Sequence, residues 1–254
     1  MSTDYNLYNE ITNNLSELFN NSESKQNVII SYPDEILSNR SRYVEWLIFL
    51  NKTLSFRTET LFRAITLFDT YMSKLKKINL IETKLTLIAC LNIATKLEEV
   101  NVNFLNFFTE RCLNEDNERH FNSTDLAKKE IEILKLLKFR TNFTNPYDFI
   151  STFHQLCMKI FNNDTNQLNY VINISEEILM NCLYDQNYIY LCPKQIALYA
   201  IKETLSYLSM YNNSFISNLI WTPLCSFDHN NQNNNSNQNK QAINTSSPMK
   251  IQAM

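Results

Sequence analysis

The sequence contains no glycine among its 254 residues, where average usage is about 7%. This absence excludes glycine-rich phosphate loops, dinucleotide-binding fingerprints and the glycine-rich loop of protein kinases. Tight two-residue hairpins need residues that tolerate positive φ, chiefly glycine, so a hairpin-based β protein is disfavoured. The composition therefore favours an all-helical protein, and we expect no cofactor.

Signals for metal sites, membrane spans and nucleic-acid binding are also weak. The charge balance of 23 basic and 26 acidic residues argues against nucleic acid as the main partner. No uncharged apolar run reaches the roughly 18 residues of a membrane span, and the polar stretch 1–10 shows no signal peptide. The cysteines form no CxxC or CxxH spacing, which favours reduced, buried thiols in an intracellular protein over a metal site or disulfides. They are Cys90, Cys112, Cys157, Cys182, Cys192 and Cys225.

The longest apolar helical pattern lies in residues 80–100, LIETKLTLIACLNIATKLEEV. Between Leu85 and Ala94 apolar residues occur almost all the way round a helix of 3.6 residues per turn. A helix without a polar face belongs in the centre of a core. We therefore expect a buried hub helix here.

Two opposite charges lie on apolar helical faces in this part of the chain. Lys96 projects from the face of Ile93, and Glu130 lies on the apolar stripe that contains Leu126 and Leu134. A carboxylate on such a stripe is costly unless it is paired. The pattern predicts an ion pair between Lys96 and Glu130, with a lysine that reaches round the helix end to water as the alternative.

A third misplaced charge is Asp69, which shares a face with Ile65 and Met72 in a helix predicted from Thr58 to Ser73. Arg40, at the start of the preceding helix, is a candidate partner. The alternative is an aspartate at the edge of the stripe that touches water.

The remaining chain reads as further helices and one tail. Asn145-Pro146 separates two helical sets, and from Asn230 to Gln241 ten of twelve residues are Asn or Gln, a composition typical of disorder. The other helices are predicted at 4–20, 39–50, 102–112, 122–138, 147–161, 167–183 and 193–208, with a last apolar piece at 215–224.

No set of residues with the spacing of a catalytic site stands out. The histidines at 120, 154 and 229 are scattered, and the adjacent acids at 98–99 and 176–177 have side chains that diverge on a helix. We therefore expect a protein that is not an enzyme.

Four stretches resemble the cyclin family, the regulatory subunits of cyclin-dependent protein kinases. RSRYVEWL resembles the opening helix of the cyclin box, LFDTYMS its Tyr-Ile-Asp-Arg-Phe-Leu-Ser stretch, and IATKLEEV its Ala-Ser-Lys-Phe-Glu-Glu-Ile. KKEIEILKLLKFRTNFTNPYDFI resembles the segment that carries the family's glutamate. The family's arginine, aspartate, lysine and glutamate then correspond to Arg40, Asp69, Lys96 and Glu130, the same charges that periodicity singles out.

The resemblance implies an all-α cyclin fold with two lobes of about five helices, the second lobe short, behind an N-terminal helix. The implied segments are 1–38 for the N-terminal helix and linker, 39–143 for the first cyclin box, 144–225 for a divergent second lobe and 226–254 for the tail. It also implies binding and activation of a cyclin-dependent kinase by repositioning its αC helix, control of the cell cycle, and a place in the nucleus or cytoplasm. Arg40 and Asp69 would form a structural ion pair. The implied kinase contacts are Ile93, Lys96, Leu97, Glu98, Glu99, Glu130, Leu134 and Phe139.

Three features bear on substrates and regulation. Tyr43 and Trp46 match the region of the family's substrate-docking patch, but Phe49 replaces its acid, which leaves docking of Arg-x-Leu substrates open. Ser247 begins a Ser-Pro-x-basic pattern that we expect the bound kinase to phosphorylate, a chance match being the alternative. A cyclin-fold transcription factor, a transcriptional cyclin and a non-activating scaffold remain the alternative functions.

Overall fold

The computed structural model describes residues 32–75, 79–100, 121–161 and 164–210. These residues contain eight α-helices and no β-strand, which confirms the predicted all-helical fold. The helices are α1 (Asp34–Leu37), α2 (Arg40–Thr53), α3 (Thr58–Met72), α4 (Thr83–Glu98), α5 (Ser123–Leu136), α6 (Pro146–Phe161), α7 (Thr165–Cys182) and α8 (Pro193–Met210), and short 3₁₀ turns cover Leu80–Glu82 and Gln186–Tyr190. The segments predicted as helices at 4–20 and 102–112, the piece at 215–224 and Ser247 lie outside the described residues.

Helix α4 is the hub that its sequence predicts. Every residue from Leu85 to Thr95 is buried, and Ala89, Cys90 and Ala94 are completely inaccessible. The helix packs against α2, α3 and α5. Because it lacks a polar face, neighbours on several sides are needed to remove its apolar surface from water.

Two helices end in the left-handed conformation that usually takes glycine. Ser55 follows α2 with φ of 55°, and Lys138 follows α5 with φ of 54°. At each end two backbone bonds close the last turn, such as Lys138 N–H to Lys135 O at 3.0 Å and Phe139 N–H to Leu134 O at 2.7 Å. The chain therefore forms the standard C-terminal helix cap, in which serine and lysine occupy the left-handed position that glycine usually takes.

The start of α6 explains why the two predicted sets of helices are separated at Asn145-Pro146. Pro146 is the first residue of the helix, where its missing N–H is harmless. The Asn145 side chain accepts a bond from Tyr147 N–H at 2.9 Å, while Asp148 accepts one from Asn145 N–H at 2.9 Å. These reciprocal bonds fix where α6 begins.

Helix α6 packs against α7 and α3. Phe149 and Phe153 are buried, and Tyr147 stacks on Phe62 of α3 with ring centroids 5.8 Å apart. The described residues up to Thr204 belong to one compact unit, and the second unit is described over the end of α8 alone. The predicted domain boundaries at 38, 143 and 225 stay predictions.

None of the described helices is long and apolar enough to cross a bilayer. The four described cysteines, Cys90, Cys157, Cys182 and Cys192, are free thiols. Burial raises the pKa of Cys157 to about 12 and, together with nearby Asp185, that of Cys182 to about 11. These two side chains therefore remain uncharged thiols at neutral pH.

Candidate protein-interaction surface

Lys96 and Glu130 form the ion pair that the sequence pattern predicts. Lys96 Nζ lies 2.7 Å from Glu130 Oε2. The lysine side chain is 51% exposed and the glutamate side chain 11% exposed, so the ammonium reaches solvent while the carboxylate lies inside. The other carboxylate oxygen of Glu130 accepts a bond from the buried amide of Asn92. Because an ammonium carries three N–H donors, Lys96 keeps donors for a partner while Glu130 fixes its position.

Large apolar side chains lie exposed beside this pair in the chain. Leu97 follows Lys96 directly and is 50% exposed, and Phe139 is 69% exposed. Leu134, one turn after Glu130 on α5, is partly exposed, and its carbonyl accepts the Phe139 N–H. We call these residues, with the ion pair, the α4–α5 surface: Lys96, Leu97, Glu130, Leu134 and Phe139.

Ile93 does not belong to this surface. The family resemblance places it among the kinase contacts, one turn before Leu97, but its side chain is only 5% exposed. Its burial follows from the core position of α4, whose burial ends with Thr95. Ile93 therefore packs inside the protein and offers almost no area to a partner.

Glu98 and Glu99 have intramolecular partners that the sequence does not reveal. Glu99 accepts a bond from the backbone N–H of Arg57 at 2.9 Å and one from Thr60 Oγ1. Glu98 is paired with Arg63. Glu99 thus lies at the N-terminal end of α3, where a helix carries positive partial charge, and Glu98 is paired with a cation in the second turn of the same helix. These contacts account for the position of the two acids, and their predicted contact with a kinase stays a prediction.

Arg63 connects three parts of the chain. Besides Glu98 it donates to Asn142 Oδ1 at 3.2 Å and lies 3.8 Å from Asp148 Oδ1 of α6. Burial raises the pKa of Asp148, although its bond from Asn145 and the charge of Arg63 oppose this effect. The sequence analysis did not single out Arg63. The signal available in the sequence was a single cation between the apolar residues Phe62 and Ala64 of the predicted helix.

Arg40 and Asp69 also form the predicted pair, and both are buried. Arg40 Nη2 lies 2.8 Å from Asp69 Oδ2, and Arg40 Nε donates to Asp69 Oδ1 at 3.1 Å. Asp69 is 4% exposed, which excludes the alternative of an aspartate at the water edge. Tyr32 donates a further bond to this carboxylate at 2.8 Å.

The remaining donor of Arg40 reaches the end of α7. Arg40 Nη1 donates to Leu183 O at 2.6 Å, and its guanidinium lies 5.1 Å from the ring centre of Tyr188. Burial disfavours the charge of Arg40, but the Asp69 carboxylate outweighs burial and keeps the arginine pKa above its ordinary value. A pair expected to join two helices therefore also binds the C-terminal carbonyl of a third.

The residues predicted for substrate docking lie on α2. Tyr43 and Trp46 are partly buried, with Tyr43 edge-on to Phe68 at a centroid distance of 6.1 Å. Phe49 is exposed. The α2 face is therefore more apolar than a docking patch that carries an acid at this position, and its role stays a prediction.

The comparisons with known proteins agree with this geometry. Residues 10–142 match the family model described as the cyclin N-terminal domain. The chain belongs to the cyclin family. It is 33% identical over 122 residues to G2/mitotic-specific cyclin-2 of Saccharomyces cerevisiae, an alignment that covers 45% of this chain and 22% of that protein.

Two plant relatives align over a longer part of this cyclin. Cyclin-D3-3 of Arabidopsis thaliana is 23% identical over 199 residues, with 75% of this chain and 53% of the relative covered. Cyclin-D1-1 of the same plant is 26% identical over 166 residues, with 65% and 47% covered. The chain thus spans between about a fifth and a half of the length of these curated relatives.

A viral cyclin from herpesvirus saimiri shares the fold. Its crystal structure has a TM-score of 0.58 and 18% sequence identity to this chain, covering 80% of this chain and 83% of the viral one. The similarity establishes the cyclin fold, in agreement with the family match.

Proposed function

We propose that this cyclin binds a cyclin-dependent protein kinase through the α4–α5 surface and activates it by repositioning the kinase αC helix. The observation that carries the proposal is the asymmetric Lys96–Glu130 pair, with its exposed ammonium and buried carboxylate, beside exposed Leu97 and Phe139. The cyclin would supply binding energy to one kinase conformation and no catalytic atom.

Each part of the surface has a distinct task in this proposal. Leu97, Leu134 and Phe139 would cover the apolar side of the kinase helix, with a gain of about 25 cal/mol for each Å² of apolar surface buried. Lys96 would donate its spare N–H groups to backbone carbonyls of the kinase. Glu130 would position the lysine and is itself held by Asn92.

The mechanism of activation follows from selective binding. If the surface accepts αC in its inward position, binding shifts the kinase population toward that position. The glutamate of αC can then reach the β3 lysine and complete the phosphate-binding site of the kinase. Control of cell-cycle progression, in the nucleus or the cytoplasm, is the wider role that we propose, supported by the mitotic role in the name of the yeast relative.

The first experiment is a pull-down with the full chain, followed by a histone phosphorylation assay of the captured kinase. We expect a cyclin-dependent catalytic subunit whose activity depends on the cyclin. Capture of a transcription complex without such a kinase, or of a kinase that stays inactive, would contradict the proposal in favour of a transcription factor or a scaffold.

The second experiment separates binding from folding. Lys96→Ala should weaken association with the captured kinase by about 2–5 kcal/mol, because the partner's carbonyl groups lose a donor inside a desolvated contact. Its melting temperature should fall less than that of Glu130→Ala, because the Glu130 carboxylate keeps its bond from Asn92 after the lysine is removed. Lys128→Ala is the matched control, since Lys128 lies on α5, is exposed, and is 3.9 Å from its acidic neighbour Asp125.

Glu130 completes the test. Glu130→Ala should reduce both affinity and stability, since it also leaves the buried Asn92 amide without its acceptor. In the binding assay the double variant with Lys96→Ala should be no weaker than the worse single variant if the two residues act as one unit. Reduced stability with unchanged affinity in both single variants would contradict the interface role.

A further inference from the structure

The acids and bases near the α4–α5 surface are sorted by depth. Glu130, Glu98 and Glu99 are each paired within the chain, and their side chains are between 11% and 15% exposed. These three carboxylates therefore contribute little to the charge that a partner meets. Glu132 of α5 is 52% exposed, but its charge is paired with that of buried Lys129.

The bases are exposed instead. Lys135 lies in the last turn of α5, and Lys138 and Arg140 flank Phe139 in the chain; all three are exposed. None of them has a carboxylate partner among the described residues, and Lys96 adds a half-exposed ammonium. We call Lys135, Lys138 and Arg140 the basic rim. It lies beside exposed apolar residues although the chain as a whole carries a net charge of -3.

The backbone holds this segment in a defined conformation. Lys138 and Phe139 both have positive φ, 54° and 57°, and their N–H groups bond back to α5. Left-handed residues other than glycine are uncommon, and here two occur in succession. Together with the bonds back to α5 they set the direction of the chain on both sides of Phe139. The rim is therefore attached to a fixed turn, next to the apolar residues.

We propose that the α4–α5 surface selects a protein partner whose contacting helix is acidic, with carboxylates beside an apolar stripe. This inference rests on the proposed function and adds the chemistry of the kinase helix that this cyclin accepts. Exposed apolar residues with exposed cations on both sides of Phe139 in the chain match a helix that carries an apolar stripe and the opposite charge. Nucleic acid would match the cations but would leave Leu97 and Phe139 uncovered.

Charges at the edge of an interface act mainly on the rate of association. Complementary edge charges steer the encounter and can raise association rates well above the neutral range of about 10⁵–10⁶ M⁻¹s⁻¹. Salt weakens this effect, because the screening length falls from about 10 Å at 0.1 M to about 3 Å at 1 M. Reversing the rim should therefore slow association at low salt and have little effect at high salt.

The test measures association of the full-length cyclin with the captured recombinant kinase by surface plasmon resonance at 50 and 500 mM NaCl. The main variant is Lys135→Glu with Arg140→Glu, and the neutral variant replaces the same residues with Gln. The matched control is Lys52→Glu with Lys74→Glu, which makes the same change in net charge. Lys52 occupies the same position in the last turn of α2 as Lys135 does in α5, and Lys74 is exposed just after α3.

At 50 mM NaCl we expect association to be at least tenfold slower for the reversed variant, an intermediate rate for the neutral variant, and a rate near wild type for the control. At 500 mM NaCl the rates should converge. Equal rates for the reversed variant and wild type at both salt concentrations, or equal slowing by the control, would overturn the proposal. Loss of binding at both salt concentrations with a normal melting curve would also overturn it, since the rim would then not act through screened charge.

Two further results distinguish failure of the inference from failure of the proposed function. If wild type captures no cyclin-dependent kinase at all, the proposed function fails. If the kinase binds but a 20-base-pair DNA duplex also binds wild type and not the reversed variant, the rim belongs to nucleic acid and the inference alone fails.

Discussion

Arg40 is only 1% exposed, and each of its three side-chain nitrogens donates a hydrogen bond. A buried guanidinium is tolerated while its carboxylate is present, and removing one member of such a pair typically costs 3–5 kcal/mol. Asp69→Ala should therefore lower the melting temperature clearly, and the calorimetric melting curve checks this.

Glu45→Ala is the control for Asp69→Ala, since Glu45 is exposed on α2. It should change stability by no more than about 0.5 kcal/mol. A melting curve for Asp69→Ala that overlays wild type would contradict the buried-pair interpretation.

His154 makes stability depend on pH. Its Nε2 lies 2.7 Å from Ser175 Oγ, and that hydroxyl already donates to Ile172 O at 2.9 Å, so the neutral imidazole must donate from Nε2. Burial lowers the pKa of His154 to about 4 from its ordinary 6.5. As the pH falls from 6.5 to 4, the His154 imidazole binds a proton in the unfolded chain but stays neutral in the folded chain, so the free energy of unfolding decreases.

His154 should lower the free energy of unfolding by about 2 kcal/mol between pH 7.5 and pH 5. Urea unfolding of wild type and His154→Gln at the two pH values measures it as a difference of differences. The variant starts from a lower stability because the ring is buried, but its fall with pH should be smaller by this amount. Parallel pH profiles would contradict this prediction, because they would show that the pKa of His154 is the same in the folded and the unfolded chain.

At the scale of elements, the glycine-free sequence leaves helix ends under strain. Ser55 at the end of α2 has φ of 55°, and a left-handed L-residue costs roughly 1–2 kcal/mol. Ser55→Gly should therefore stabilise the protein by about 0.5–1 kcal/mol after the larger chain entropy of glycine is subtracted. Chemical denaturation measures the change.

Ser73→Gly is the matched control, because Ser73 ends α3 with φ of -62°. It should destabilise the protein, since glycine offers no relief in a right-handed conformation and adds entropy to the unfolded chain. Stabilisation by both substitutions, or by neither, would contradict the strain argument.

At the scale of the whole molecule, Arg63 connects α3 and α4 to the segment that leads into α6. Arg63→Leu would leave the acids Glu98 and Asp148 partly buried without their cation. We expect the free energy of unfolding to fall by about 3–5 kcal/mol and amide hydrogen exchange at the start of α6 to become faster. Hydrogen exchange measured by mass spectrometry, together with urea unfolding, tests both effects.

Arg57→Leu is the control for this prediction. Arg57 also faces acids at the start of α3, but its side chain is 54% exposed and its contacts with Glu59 and Glu99 are 3.5 and 3.7 Å long. Exposed pairs contribute about 0–1 kcal/mol, so this variant should remain near wild type. Similar losses for both arginines would mean that burial does not distinguish them.

Helical periodicity predicted the helices that the structure describes and the charged residues on their apolar faces. Apolar residues at helical spacing placed α3 within one residue of its observed end, and the apolar circumference of residues 85–94 indicated the hub. A charge on an apolar stripe is costly unless it is paired, so helical periodicity singled out Lys96, Glu130 and Asp69 and suggested their partners, while the structure excluded the alternative of an aspartate at the water edge.

The depth of these charged side chains and their further partners depend on tertiary packing. Glu98 and Glu99 contact the start of α3, and Arg40 reaches Leu183, 143 residues away in the chain. Ile93 is buried although periodicity places it one turn before exposed Leu97. Helical periodicity describes one helix at a time, whereas burial and partner choice depend on how distant helices pack, so the depth of each side chain was set by the tertiary packing.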